Sequence, residues 1–252
     1  MHLGEESSLS KVNLKNGLIQ RYARLSGFLY LAIILIAILN TSLIDTGIFY
    51  ESHTFGSSVL PLEDAFILRI GAAVELFMYA AVLGLSWALY IVLREMDERL
   101  ALLGFIFRAA EAILGGISTI LPFLLISFLE QGVSKGAGGS FIYDVVAPSL
   151  SGVRGISLDI VLFFVGIGGS IFLYIFYKYR CVPRLLSIWG VITYLSMMTL
   201  SFISLIYPVH PTWIESALYG SGALFECVFG LWLMAKGVDL SNMPMSPYKQ
   251  PL

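Results

Sequence analysis

The stretch that decides the fold is LALLGFIFRAAEAILGGISTILPFLLISF, from Leu100 to Phe128. As a helix it is long enough to cross a bilayer, yet Arg108 and Glu111 sit inside it one turn apart. Two further apolar runs carry charge in the same way: Arg69 and Glu75 between Phe66 and Leu93, and Glu226 near the middle of Ala217 to Ala235. A charge near the bilayer centre costs about 2.5–3.5 kcal/mol, so these five left unpaired would cost about 12–17 kcal/mol. That is too much to leave facing lipid. Arg69, Glu75, Arg108, Glu111 and Glu226 are therefore expected inside a bundle, and any function is expected to lie among them.

Working outward, apolar runs of spanning length fall at 25–44, 66–93, 100–128, 155–177, 183–206 and 215–235. About 20 residues suffice for a span, so all six qualify. Backbone polar groups inside a bilayer must be satisfied within the segment, and no short alternating strands are present, so the spans are helices. The composition agrees: of 252 residues 58% are hydrophobic and 13% charged, against about 45–50% and 25% for a soluble domain. The predicted fold is all-α, a polytopic membrane bundle of six transmembrane helices. Residues 1–24 form an N-terminal segment, 25–238 the membrane domain and 239–252 a C-terminal tail.

Orientation follows from the connections. Lys11, Lys15, Arg21, Arg24, Arg94, Arg99, Lys178, Arg180, Arg184, Lys236 and Lys249 flank one side, and only Lys135 and Arg154 the other. The basic side is cytoplasmic by the positive-inside rule, which puts both termini inside. The first two dozen residues are too long and irregular for a cleaved signal, so the first span is read as retained. A stripe of Val12, Leu18, Ile19, Tyr22 and Leu25 lets that segment lie along the membrane surface, with disorder to about Gly17 as the alternative. Arg94-Glu-Met-Asp-Glu-Arg99 and Cys181-Val-Pro-Arg184 are short inner connections, so the spans they join are antiparallel neighbours. Gly71-Ala-Ala73, Gly115-Gly116 and Gly166-Ile-Gly-Gly-Ser170 mark close packing. Cys181 and Cys227 fall on the reducing side, where a disulfide is not expected.

Several function classes drop out. No basic face with interleaved aromatics exists, so nucleic acid is not a partner. The three histidines, His2, His53 and His210, form no His-Glu-x-x-His pair or other metal set, and no motif implies a cofactor. No serine has a nucleophile-elbow context and no Gly-rich phosphate loop follows a strand. His53, Asp159 and His210, with Glu51, Glu63 and Asp64, fall toward the outer face and are secondary candidates. Asp159 near Arg154 reads as an interfacial ion pair.

Ala23-Arg-Leu-Ser-Gly-Phe-Leu-Tyr30, Arg69-Ile-Gly71, Ala88-Leu-Tyr-Ile-Val-Leu93, Phe107-Arg-Ala-Ala-Glu111, Pro183-Arg184, and Glu226 followed by Leu231-Trp-Leu-Met-Ala-Lys-Gly-Val238 occur in this order. Together they resemble the domain-of-unknown-function family 4386, multi-spanning proteins of bacteria and archaea, over about residues 20–238. The resemblance implies a prokaryotic cytoplasmic-membrane protein and carries no activity. The residues themselves suggest a small carrier or permease-like protein. In it Glu75, Glu111 and Glu226 bind a proton, cation or cationic group, Arg108 holds Glu111, and Arg69 guards the outer entrance. The alternatives are a non-catalytic scaffold whose charges only fix packing and, more remotely, an intramembrane enzyme acting on lipid. The bilayer is the expected partner, with a small molecule or ion as substrate; no motif encodes that substrate or the oligomeric state.

Overall fold

The computed structural model describes residues 2–44, 62–135, 145–207 and 211–241. Among these the elements are all helices: α1 (His2–Ile44), α2 (Leu62–Ser118), α3 (Ile120–Lys135), α4 (Ala147–Tyr179), α5 (Arg184–Ile206) and α6 (Thr212–Lys236). Five stretches are long and apolar enough to cross a membrane: 13–40, 66–128, 148–179, 184–206 and 213–236.

The longest of them is not one rod. Asp97 leaves the helical region at φ −151°, ψ 91°. Residues on either side then meet: Trp87 and Tyr90 pack their rings on Phe105, and Tyr79 covers Gly115. These pairs are nearly symmetric about Asp97, so α2 folds back there into two antiparallel arms. The chemistry of the turn is an N-cap. Asp97 adopts an extended backbone while its Oδ1 accepts the Leu100 N–H at 3.2 Å, starting the second arm with almost no loop. Its other oxygen, Oδ2, accepts from Lys178 Nζ at 3.0 Å, which ties the turn to the end of α4.

The second arm stops earlier than the apolar run suggests. A single helix was expected over 100–128, but the structure breaks at Thr119, between α2 and α3. Pro122 explains it: a proline has no N–H to give the carbonyl four residues back and its ring crowds that carbonyl. The break is closed locally. Ser118 Oγ donates to Gly115 O at 2.6 Å, and Thr119 Oγ1 to Gly116 O at 2.7 Å. At the other correction, α4 begins at Ala147 rather than near residue 155, with Pro148 in its first turn, where the missing N–H has no helical partner to lose. The N-terminal segment is helical and continuous with the first span in α1.

The helices close a ring: α1 packs on α2, α2 on α4, α4 on α5, α5 on α6, and α6 back on α1. Glycines set how tightly it closes. A Cβ at Gly27 of α1 would meet Gly230 O and Met234 N of α6 at 2.5 Å, so those backbones touch. Gly166 and Gly169 of α4 lie under Tyr194 and Met198 of α5, and Gly168 against Arg108 and the Gly104 carbonyl of α2. Inside the ring Phe176, Phe225 and Phe229 stack with Tyr30 and Tyr194 in edge and offset contacts. One end of the bundle is stitched by polar contacts: Lys15 to Glu95, Lys178 to Asp97, Gln20 to the backbone of Val238, and Asp239 N–H to Cys181 O at 2.8 Å.

The double role of Asp97 separates in two variants. Asp97→Asn keeps a capping oxygen and loses only a half-exposed ion pair, so thermal unfolding in detergent should shift little. Asp97→Ala loses the cap as well and should cost about 0.5–2 kcal/mol. Equal losses in both variants would show that the pair with Lys178, not the cap, holds the turn.

Candidate functional site

Arg108 and Glu111 lie on one face of the second α2 arm, as residues three apart on a helix do. Arg108 Nη1 stands 2.6 Å from Glu111 Oε2, and each side chain is 4–5% exposed. Arg108 gains this depth because Gly168 offers no side chain where its Cγ and backbone N pass α4. The pair leaves Arg108 Nε without a hydrogen-bond partner among the described residues. Buried guanidinium donors normally have a partner, which sets this one apart.

Glu226 comes from α6. Its Oε1 accepts a 2.6 Å hydrogen bond from Tyr194 Oη of α5. Tyr194 is fully buried and stands beside Tyr30 of α1. Glu226 itself is partly exposed, and it lines the same cavity as Arg108 and Glu111. That cavity has a volume of about 250 Å³ and draws its walls from α1, both arms of α2, α4, α5 and α6. Most of the lining is apolar, including Ile33, Ile34, Val82, Leu85, Val161 and Val165, and Tyr30, Tyr79 and Tyr219 add three phenols. The chamber therefore has greasy walls and one concentrated polar corner holding an arginine and two carboxylates.

Glu75 is placed differently from the expectation of three acids around one chamber. Although only 5% exposed, it takes a two-pronged contact from Arg154 of α4, Nη1 to Oε2 at 3.1 Å and Nη2 to Oε1 at 3.2 Å. It does not line the cavity. A bidentate guanidinium–carboxylate fork is among the strongest side-chain contacts and neutralises the acid where it stands. The apolar run from residue 155 puts Arg154 outside the span; Pro148 is the signal in the sequence that the helix begins earlier and carries Arg154 inward. Asp159, five residues further along α4, lies near Tyr219 of α6.

Arg69 also departs from expectation. It is exposed on the outer surface of α2, near the start of its apolar stretch, and is not part of the buried set. A long side chain there can reach the interface, which removes the cost of burial. His53 and His210, and with them Glu51, lie outside the described residues, as do the side chains of Glu63 and Asp64. Among the described residues no group of three or more His, Cys, Asp or Glu is arranged to hold a metal.

Cys181, outside the spans, is buried with its Sγ 3.1 Å from Met96 Sδ. Burial, then the nearby Asp239, pushes its thiol up to about 12. At pH 8 only about one molecule in ten thousand then carries the reactive thiolate.

A protein-family model described as a domain of unknown function (DUF4386) matches residues 25–237. No curated protein and no solved structure matches the chain.

Two measurements test this geometry. Glu75→Gln or Arg154→Gln alone should destabilise the protein by up to about 3–5 kcal/mol, since each strands the other charge, while the double variant should recover part of the loss. Strict additivity would mean that the fork contributes nothing. Separately, Cys181 should resist maleimide at pH 8 in the folded protein and label readily after unfolding in SDS; rapid labelling of the native form would contradict its burial.

Proposed function

The chain belongs to the DUF4386 family, and from that premise we propose that it is a small carrier of the prokaryotic cytoplasmic membrane. In this reading both arms of α2 cross the bilayer, which gives six spans, and the basic end of the bundle faces the cytoplasm with both termini. The cavity among α1, α2, α4, α5 and α6 takes a proton together with a small cation or cationic amphiphile.

One observation carries the reading: Glu226, in the middle of an apolar helix, has a single tyrosine hydroxyl as hydrogen-bond partner among the described residues and opens onto a chamber shared with a second acid. Arg108 balances one carboxylate, so Glu111 and Glu226 together exceed it by one. A site that must hold one charge too many is completed by a proton or a cation. Apolar walls make room for the hydrophobic part of a small guest; the volume is at the lower edge of ordinary ligand cavities. Arg108 keeps Glu111 in place, and the Tyr194 hydroxyl orients Glu226. An ionisable group in such a place is, by default, a candidate for function.

The Glu75–Arg154 fork supports a second reading, because its paired charges link two helices. If the Arg108 corner did only the same, the molecule would be a scaffold in which buried charges specify packing.

The two readings part at Glu226. In proteoliposomes loaded with a pH-sensitive dye, a panel of small cations should drive proton movement in the parent protein. Glu226→Gln should reduce that movement by at least about tenfold, as expected for loss of an essential proton-carrying group, while remaining monodisperse with similar thermal stability. Equal fluxes in parent and variant would sink the carrier reading and leave the scaffold.

A further inference from the structure

We infer a second binding site, for the phosphate of an anionic phospholipid, in the basic pocket where the α4–α5 turn meets the end of α6. This pocket of about 430 Å³ is separate from the central cavity and shares no lining residue with it. Arg180, Arg184 and Lys236 surround it, and all three are exposed. None of them makes an ion pair with a described carboxylate. Asp239, the one acid on the rim, is engaged locally by the Ser241 N–H at 2.9 Å.

The floor is built rather than incidental. Val238 N–H donates to Gln20 Oε1 at 3.2 Å, and Asp239 N–H to Cys181 O at 2.8 Å, so the segment after α6 is fixed both to α1 and to the α4–α5 turn. Cys181, Val182, Gly237 and Val238 are all buried beneath the rim.

Arg180 supplies an independent argument. It ends α4 in the left-handed region at φ 55°, ψ 33°, the only positive φ of a non-glycine among the described residues. The closing hydrogen bonds, Cys181 N–H to Phe176 O at 3.2 Å and Arg180 N–H to Tyr177 O at 3.4 Å, are those of a Schellman motif, where glycine is the least strained choice. An arginine there adds backbone strain and brings a cation to the pocket rim. Its charge also complements the carbonyl end of α4, as any cation placed there would.

A lipid fits better than a free anion because the pocket is amphipathic. Trp232 lines the pocket beside the cations, and the chain neighbours of Arg184 and Trp232, Leu185 and Leu231, are 80% and 52% exposed. A phosphate diester sits among the guanidinium and ammonium groups while its acyl chains run down these exposed leucines. Arginines suit the phosphate oxygens because their planar fork binds two at once.

Native mass spectrometry on the full chain, titrated with phosphatidylglycerol against phosphatidylcholine, tests the assignment. The parent should retain phosphatidylglycerol selectively, and each of Arg184→Gln and Lys236→Gln should lower that affinity about fivefold. Arg94→Gln, a charge at the same end of the bundle but outside the pocket, should leave it unchanged. Arg180→Gly is the decisive variant, because it relaxes the cap: thermal stability should hold or rise while phosphatidylglycerol retention falls. Retention unchanged in Arg180→Gly and in Arg184→Gln, or lost equally in Arg94→Gln, would overturn the site. Stabilisation by millimolar inorganic phosphate equal to that by phosphatidylglycerol would overturn the lipid as occupant and assign the pocket to a soluble phosphate.

Discussion

An arginine buried in the middle of an apolar bundle is the condition around which this structure is arranged. Arg108 needs a carboxylate within reach, a gap for its stem and walls that keep lipid away. Glu111 supplies the first from the same helix face. Gly168 supplies the second, and its neighbours Gly166 and Gly169 bring α5 close enough for Tyr194 to reach Glu226. The hairpin at Asp97 supplies the third by laying the first arm of α2 beside the second, with Tyr79 over Gly115. Without its partner or its gap, a buried charge of this kind costs several kcal/mol.

The described part of the fold was largely legible because membranes leave few choices. Run length and the ban on unsatisfied backbone groups dictate helices, and the glycine-rich stretches foretold close approach where α4 meets its neighbours. The misreadings have a common physical source. Hydropathy measures where a segment is apolar and says little about where its backbone ends. Pro122 breaks an uninterrupted apolar run, and Pro148 starts a helix inside a stretch that reads as loop. Both effects come from a single missing N–H, which no average over a window detects.

The charged positions show the complementary limit. Depth along a helix is readable at 1.5 Å per residue, but azimuth between helices is not. Arg108 and Glu111 could be paired from spacing alone, because they share a helix. Glu75 could not be assigned, since its partner Arg154 lies 79 residues away on another element. Likewise the Tyr194–Glu226 bond joins two helices whose relative rotation is set by small residues and rings, not by either sequence segment alone. Arg69, nearer the start of the same apolar run, lies at the surface, where a long flexible stem close to a helix end has an inexpensive way out.

Two kinds of charge therefore coexist in one bundle, and their surroundings distinguish them. The Glu75–Arg154 fork is matched: two guanidinium nitrogens meet both carboxylate oxygens. The corner of Arg108, Glu111 and Glu226 is incomplete, with an unused guanidinium N–H, a carboxylate held by one phenol and an adjoining chamber. If specifying helix contacts were the only demand, the second arrangement could have been closed like the first, since the same residue types were on hand. A low-dielectric site makes every unsatisfied polar group costly, so the two arrangements differ in how much they leave to be satisfied. That asymmetry, more than the presence of buried charge, is why the central cavity reads as a place where something binds.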